Sequence, residues 1–115
     1  MILGKHTICD LKNCNKEILN DLTLIETIVL NSAKEANLHV VEFNFHKFNP
    51  IGISGVTILA ESHITIHTWP EYGFAAIDAF TCGESFDPTQ VCKLIGEKFE
   101  SQEINLSELK RGELL

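Results

Sequence analysis

The sequence predicts an α+β domain: a two-layer α/β sandwich with a mostly antiparallel sheet and two helices on one face. Three observations carry this. Residues 63–69 and 74–82 both alternate apolar and polar, with many β-branched or aromatic side chains, and only Pro70-Glu71-Tyr72-Gly73 separates them. That is the signature of two half-buried antiparallel strands. Leu22, Ile25, Ile28, Val29, Ser32, Ala33 and Ala36 recur at helical spacing. A second helical stretch comes only after the run of strands, so the order reads β-α-β-β-β-β-α-β.

In chain order, Ile2 to Asp10 predicts a first strand and Leu11 to Asn15 a turn. Asp21 suits the N-cap of a helix spanning about 21–37, which Asn37 ends. Leu38 to Phe48 predicts a second strand, with Val41, Phe43 and Phe45 on one face and Glu42, Asn44 and His46 on the other. Pro50, Gly52 and Gly55 punctuate a loop, and Val56 to Ala60 is a short third strand. The 63–69/74–82 hairpin follows. Asp87-Pro88 opens the second helix, as N-cap and first helical residue, and Val91, Leu94, Ile95, Lys98 and Phe99 continue it. Gln102 to Leu109 is the last strand. With 115 residues, 44% of them hydrophobic, the chain is read as one domain, 1–115, able to bury a core of its own. The two-helix face of the sheet is thereby covered. The other face, if apolar, needs a cover such as a second copy of the chain.

Pairing the hairpin across its loop makes opposed residues sum to 143. Trp69 then faces Phe74, His67 faces Ala76, His63 faces Phe80 and Ser62 faces Thr81. Glu61 meets Cys82, which puts a thiol near the Glu61–Ser62 peptide bond. Successive strand residues point to opposite faces, so Ser62 and His67 diverge unless a turn or bulge re-aims the chain near Ser62.

The net charge of −7 argues against a nucleic-acid partner, which needs a concentrated basic face. The N-terminus lacks a secretion signal, and no apolar run approaches the length of a membrane span. A cytoplasmic protein with reduced thiols is expected. Cys9 and Cys14 read as small buried hydrophobes.

Three chemistries compete around Ser62. A hydrolytic serine with His63 or His67 as base lacks the strand-to-helix elbow that such a nucleophile uses. A zinc site from His63, His67 and Cys82 has its two histidines four apart on a strand, about 13 Å, too far for one ion. Metal is therefore not expected. In the third, a serine in a strained turn attacks the carbonyl before it, here that of Glu61. The peptide becomes an ester, removal of the Ser62 α-proton eliminates the Glu61 carboxylate, and hydrolysis leaves a pyruvoyl group at position 62. Such a ketone forms a Schiff base with an amine and acts as an electron sink. The route requires strain, a base and donors for an oxyanion. Ser62, His67 and Ser54 are its candidates. Phe48 is either core or a binding-site wall.

The stretches Phe48-Asn49-Pro50, Gly52 to Val56, Glu61 to Gly73 and Thr81-Cys82-Gly83 closely resemble those of prokaryotic S-adenosylmethionine decarboxylase proenzymes, and the resemblance spans nearly the whole chain. It implies self-cleavage between Glu61 and Ser62 into a β chain (1–61) and an α chain (62–115). It further implies a covalently bound pyruvoyl group derived from Ser62 and no metal. Ser54 and His67 match self-processing residues, His67 as proton acceptor. Cys82 matches the proton donor in decarboxylation. Phe48 and Trp69 match aromatic positions at the substrate site, and Glu71 a carboxylate for the ribose hydroxyls. The implied substrate is S-adenosylmethionine, decarboxylated to the aminopropyl donor for spermidine. The implied assembly is a homodimer of αβ units with active sites near the interface. A relative acting on arginine or ornithine, and a paralogue that binds without processing, remain open alternatives.

Overall fold

The computed structural model describes residues 1–83 and 85–114; of the domain expected over 1–115, positions 84 and 115 lie outside the described residues. The elements are β1 (Ile2–Lys12), α1 (Lys16–Leu19), α2 (Leu22–Glu35), β2 (Val40–Lys47), β3 (Ile53–Leu59), β4 (Ser62–Trp69), a single 3-10 turn (Pro70–Tyr72), β5 (Phe74–Cys82), α3 (Pro88–Lys98) and β6 (Glu103–Glu113). The six strands form one sheet in the order β2-β3-β4-β5-β1-β6, and every neighbouring pair is antiparallel.

Local chemistry sets the helix limits. The Asp21 carboxylate accepts the Leu24 N–H at 3.1 Å, satisfying one of the donors a helix start leaves free. At the other end Asn37 adopts φ +61°. The Asn37 N–H reaches the Lys34 carbonyl at 3.0 Å, and the Leu38 N–H reaches that of Ala33 at 2.9 Å. This paired closure is how a residue in the left-handed region stops a helix. Asp87 accepts the Thr89 N–H at 2.9 Å to start α3, with Pro88 in the first turn. Helix α1 departs from expectation: Asn15 caps it by accepting from Glu17 and Ile18. Four residues are too few to show periodicity.

The helices and one sheet face enclose the core. Alternation along the strands sends Cys9 and Leu11 of β1, Ile64 and Ile66 of β4, and Ala75, Ile77 and Ala79 of β5 inward. Ile25 and Val29 of α2 and Val91, Ile95 and Phe99 of the α3 segment meet them, all buried. Cys9, Cys14 and Cys92 are buried and Cys82 is exposed. Several strands run further than expected. β3 begins at Ile53 and includes Gly55, and β6 continues through Lys110-Arg111-Gly112. A Cβ at Gly55 would collide with the Phe45 ring, so that ring occupies the space a side chain would fill. The apolar face expected of the second strand holds only in part. Val41 and Phe43 are exposed, while Phe45 packs against the core. β2 is an edge strand whose register slips between Val40 and Glu42, which loosens its alternation.

Among the described residues no helix lies over the opposite sheet face. Register and alternation place His6, Ile8, Ser54, Val56, Ile58, Thr65, His67, Trp69, Asp78 and Phe80 there. Ile8, Val56, Ile58 and Trp69 are all exposed. Among the described residues no helix is long and apolar enough to cross a membrane.

Candidate active site

The register expected for the hairpin is the one found: Ser62 opposes Thr81, His63 opposes Phe80, His67 opposes Ala76 and Trp69 opposes Phe74. The turn required near Ser62 is also present. Leu59 pairs with Ser62, so only Ala60 and Glu61 link β3 to β4. Ser62 adopts φ +154°, a backbone state that costs a non-glycine residue on the order of 1–3 kcal/mol. Beside it the Cys82 N–H donates to the Glu61 carbonyl oxygen at 2.7 Å. The carbonyl that a Ser62 hydroxyl would attack is therefore already polarised by a fixed backbone donor.

Glu61 is buried, with 7% of its surface exposed. Its carboxylate accepts the His39 backbone N–H at 2.9 Å and lies 2.6 Å from His39 Nδ1. Desolvation pushes the carboxyl upward, but the backbone and ring hydrogen bonds from His39 outweigh it and hold the group below the usual carboxylate range.

A second group gathers at the other end of β4. Ser54 opposes His67 across the β3–β4 ladder, and Ser54 Oγ lies 2.8 Å from His67 Nδ1. Phe48, Ile51, Gly52, Thr68, Trp69 and Glu71 complete a cleft of about 260 Å³ around this pair. Its aromatic walls are partly open: Phe48 is 48% exposed and Trp69 41%. A larger cleft, about 480 Å³, lies between Lys12, Asn13, Trp69, Tyr72 and Phe74. It contains none of the serine, histidine or cysteine groups considered above.

The two groups are not brought together within one chain. Ser62 and His67 are five residues apart on one strand, roughly 16 Å at 3.3 Å per residue. Glu61, Ser62 and Cys82 stand at one end of β4, and Ser54, His67, Phe48, Trp69 and Glu71 at the other.

Between them, on the open face, lies a network that the sequence reading missed. His6 Nε2 is 2.7 Å from Asp78 Oδ2, and His63 Nε2 is 3.5 Å from the same oxygen. The Thr65 hydroxyl donates to Asp78 Oδ1. Arg111 Nη1 lies 3.0 Å from His6 Nδ1. A guanidinium has only donors, so Nδ1 accepts and His6 is protonated on Nε2, toward Asp78. The ligand atoms of His6, His63 and Asp78 lie within 4.8 Å of one another. A metal-bound histidine ordinarily directs its other nitrogen to an acceptor, whereas His6 Nδ1 faces the Arg111 guanidinium. Among the described residues Arg111, His6, Asp78 and Thr65 thus form a hydrogen-bonded network, with His63 3.5 Å from the same carboxylate. The expected register would have revealed part of it, since Thr65 and Asp78 also sum to 143.

Comparison with known proteins bears on this geometry. A profile of the S-adenosylmethionine decarboxylase family matches residues 5–112. The chain belongs to that family. It is 54% identical over 110 residues to the S-adenosylmethionine decarboxylase proenzyme of Thermodesulfovibrio yellowstonii, covering 96% of this chain and 82% of the relative. It is 52% identical to that of Caldicellulosiruptor saccharolyticus, covering 96% and 89%. The crystal structure of the adenosylmethionine decarboxylase from Aquifex aeolicus superposes with a TM-score of 0.92 at 32% identity, covering 99% of this chain and 94% of that one. A Trypanosoma brucei decarboxylase monomer, at 13% identity and TM-score 0.63, shares the fold over 89% of this chain and 44% of its own.

Proposed function

We propose that the chain is the precursor of a self-processing, pyruvoyl-dependent S-adenosylmethionine decarboxylase that makes the aminopropyl donor for spermidine. One observation carries the reading: a strained Ser62 directly follows a carbonyl held by the Cys82 N–H at 2.7 Å. Attack by Ser62 Oγ forms a C–O bond to the Glu61 carbon and breaks the C–N bond, whose nitrogen takes the hydroxyl proton. Negative charge passes through the Glu61 oxygen, where the Cys82 amide stabilises it. Donors so placed are worth about 10²–10³ in rate. His67, oriented by Ser54, then takes the Ser62 α-proton, the Glu61 carboxylate leaves, and hydrolysis with loss of ammonia completes the pyruvoyl end. That group supplies a ketone that condenses with an amine and accepts the electron pair released with carbon dioxide. The Cys82 thiol, exposed beside position 62, returns a proton to the substrate carbon. Phe48 and Trp69 suit a flat adenine and a cationic sulfonium, through stacking and cation–π attraction of about 0.5–2 kcal/mol. Glu71 suits the ribose hydroxyls.

The 16 Å estimate along β4 makes a second copy part of this reading. If two open faces meet antiparallel about a twofold near Ile64–Thr65, position 62 of one protomer falls against position 67 of its partner. The apolar side chains exposed on that face support a homodimer of αβ units, with each site built from both protomers. Intact-mass analysis of freshly purified protein under denaturing conditions tests the proposal. Two chains are expected, one ending at Glu61 and one opening with a pyruvoyl at position 62. A single unmodified chain that persists through long incubation would overturn it.

A further inference from the structure

Glu61 is gripped from two sides. Its carbonyl is tied to the Cys82 N–H, and its side chain reaches back to the corner between α2 and β2. One residue at that corner, His39, meets the β3–β4 turn three times. Its N–H donates to Glu61 Oε1 at 2.9 Å, its Nδ1 lies 2.6 Å from Oε2, and its carbonyl accepts the Ala60 N–H at 2.8 Å. A carboxylate only accepts, so Nδ1 donates. The His39 side chain is 74% exposed and contributes nothing to the core. A strained residue keeps its conformation only where its surroundings over-determine it. Released from His39, the two-residue turn could rotate, carrying Ser62 away from φ +154° and the Glu61 carbonyl away from the Cys82 amide.

We infer that the His39–Glu61 clamp is a positioning device for self-cleavage, and that it is why the residue before the cut is a glutamate. His39 acts through Glu61 and touches no reacting atom. The inference rests on the self-cleavage reading above. The test follows the rate of conversion of freshly made precursor to two chains in wild type, His39→Ala, His39→Asn and Glu61→Ala. Circular dichroism confirms the fold of each. Loss of the ring hydrogen bond should slow His39→Ala about three- to tenfold, and Glu61→Ala at least about tenfold. Asparagine places its amide donor where Nδ1 sits, so His39→Asn should return to within about twofold of wild type. A general loosening of the corner would not be rescued in this way. Once fully cleaved, His39→Ala should turn over substrate at the wild-type kcat. If wild type cleaves and both alanine variants cleave equally fast, or if asparagine is as slow as alanine, the clamp is refuted. If wild type itself stays whole, the self-cleavage reading fails instead. Glu61→Gln, which keeps the shape but not the charge, serves for the same comparison should His39→Ala not fold.

Discussion

Combining two inactive variants provides the most direct test of a shared site. In the proposed mechanism Ser62→Ala removes the attacking hydroxyl, and His67→Ala removes the base. Proton transfer needs heavy atoms about 2.6–3.2 Å apart, whereas Ser62 and His67 of one chain are separated by roughly 16 Å along β4. If His67 is the base, the one serving each Ser62 would therefore come from the partner in the proposed dimer. In a mixed dimer the intact Ser62 of the His67→Ala chain meets the intact His67 of the Ser62→Ala chain, which gives one complete site. Each variant alone should remain uncut. Equal co-expression with random pairing puts about half of the His67→Ala chains in mixed dimers, and that half should be cleaved. Differently tagged chains allow the mixed dimers to be purified and the cut fraction read by mass. Mixed dimers in which no His67→Ala chain is cleaved would refute the reasoning. So would a wild-type protein that sediments as a monomer and still cleaves at its normal rate.

Two further outcomes follow from geometry already described. Phe99 is fully buried at the end of α3, so Phe99→Ala should destabilise the domain by about 3–5 kcal/mol in urea unfolding, through lost burial and the cavity left behind. The lowered pKa of Glu61 makes its stabilisation complete above the ordinary carboxylate range, and that stabilisation is lost as pH falls through the depressed folded value. In the uncleavable Ser62→Ala background, the thermal-stability gap between Glu61 and Glu61→Gln chains should therefore be constant above the ordinary carboxylate range and narrow as pH falls below it. A gap that stays constant as pH falls below that range would contradict the assignment.

Much of this architecture was legible in the sequence because the governing interactions are local or periodic. Asp21 and Asn37 announced the limits of α2, Asp87-Pro88 announced α3, and alternation through 63–69 and 74–82 fixed the hairpin register to the residue. A strained backbone at Ser62 was legible as a requirement of the chemistry and is present, but the convergence of Ser62 with His67 that the turn was expected to bring does not occur within one chain. What escaped depended on contacts distant in sequence. Nothing around Leu38-His39-Val40 signals that His39 closes on Glu61, 22 positions away. The exposure of Val41 and Phe43 follows from the place of β2 at the sheet edge, which a strand's own composition does not reveal. Phe48, Trp69 and Glu71 could be singled out one by one. Their gathering with Ser54 and His67 at the end of β4 opposite Ser62 required the whole sheet.

The strand order carries a lesson about time. Divided at position 61, one fragment would hold β1, β2 and β3 and the other β4, β5 and β6. In the sheet these alternate, with β1 lying between β5 and β6. Three seams, β3–β4, β5–β1 and β1–β6, would join the fragments without a covalent link. Before the cut, folding is a unimolecular search by one tethered chain. Afterwards, any return from the unfolded state would be a second-order encounter of two fragments and therefore dependent on concentration. The cut would thus be sequenced after folding and would also certify it: an unfolded chain has no strained turn to cleave, and a cleaved chain must have folded once. Loss of the native state would then be largely one-way, and the useful life of the molecule set by its unfolding rate rather than by an equilibrium.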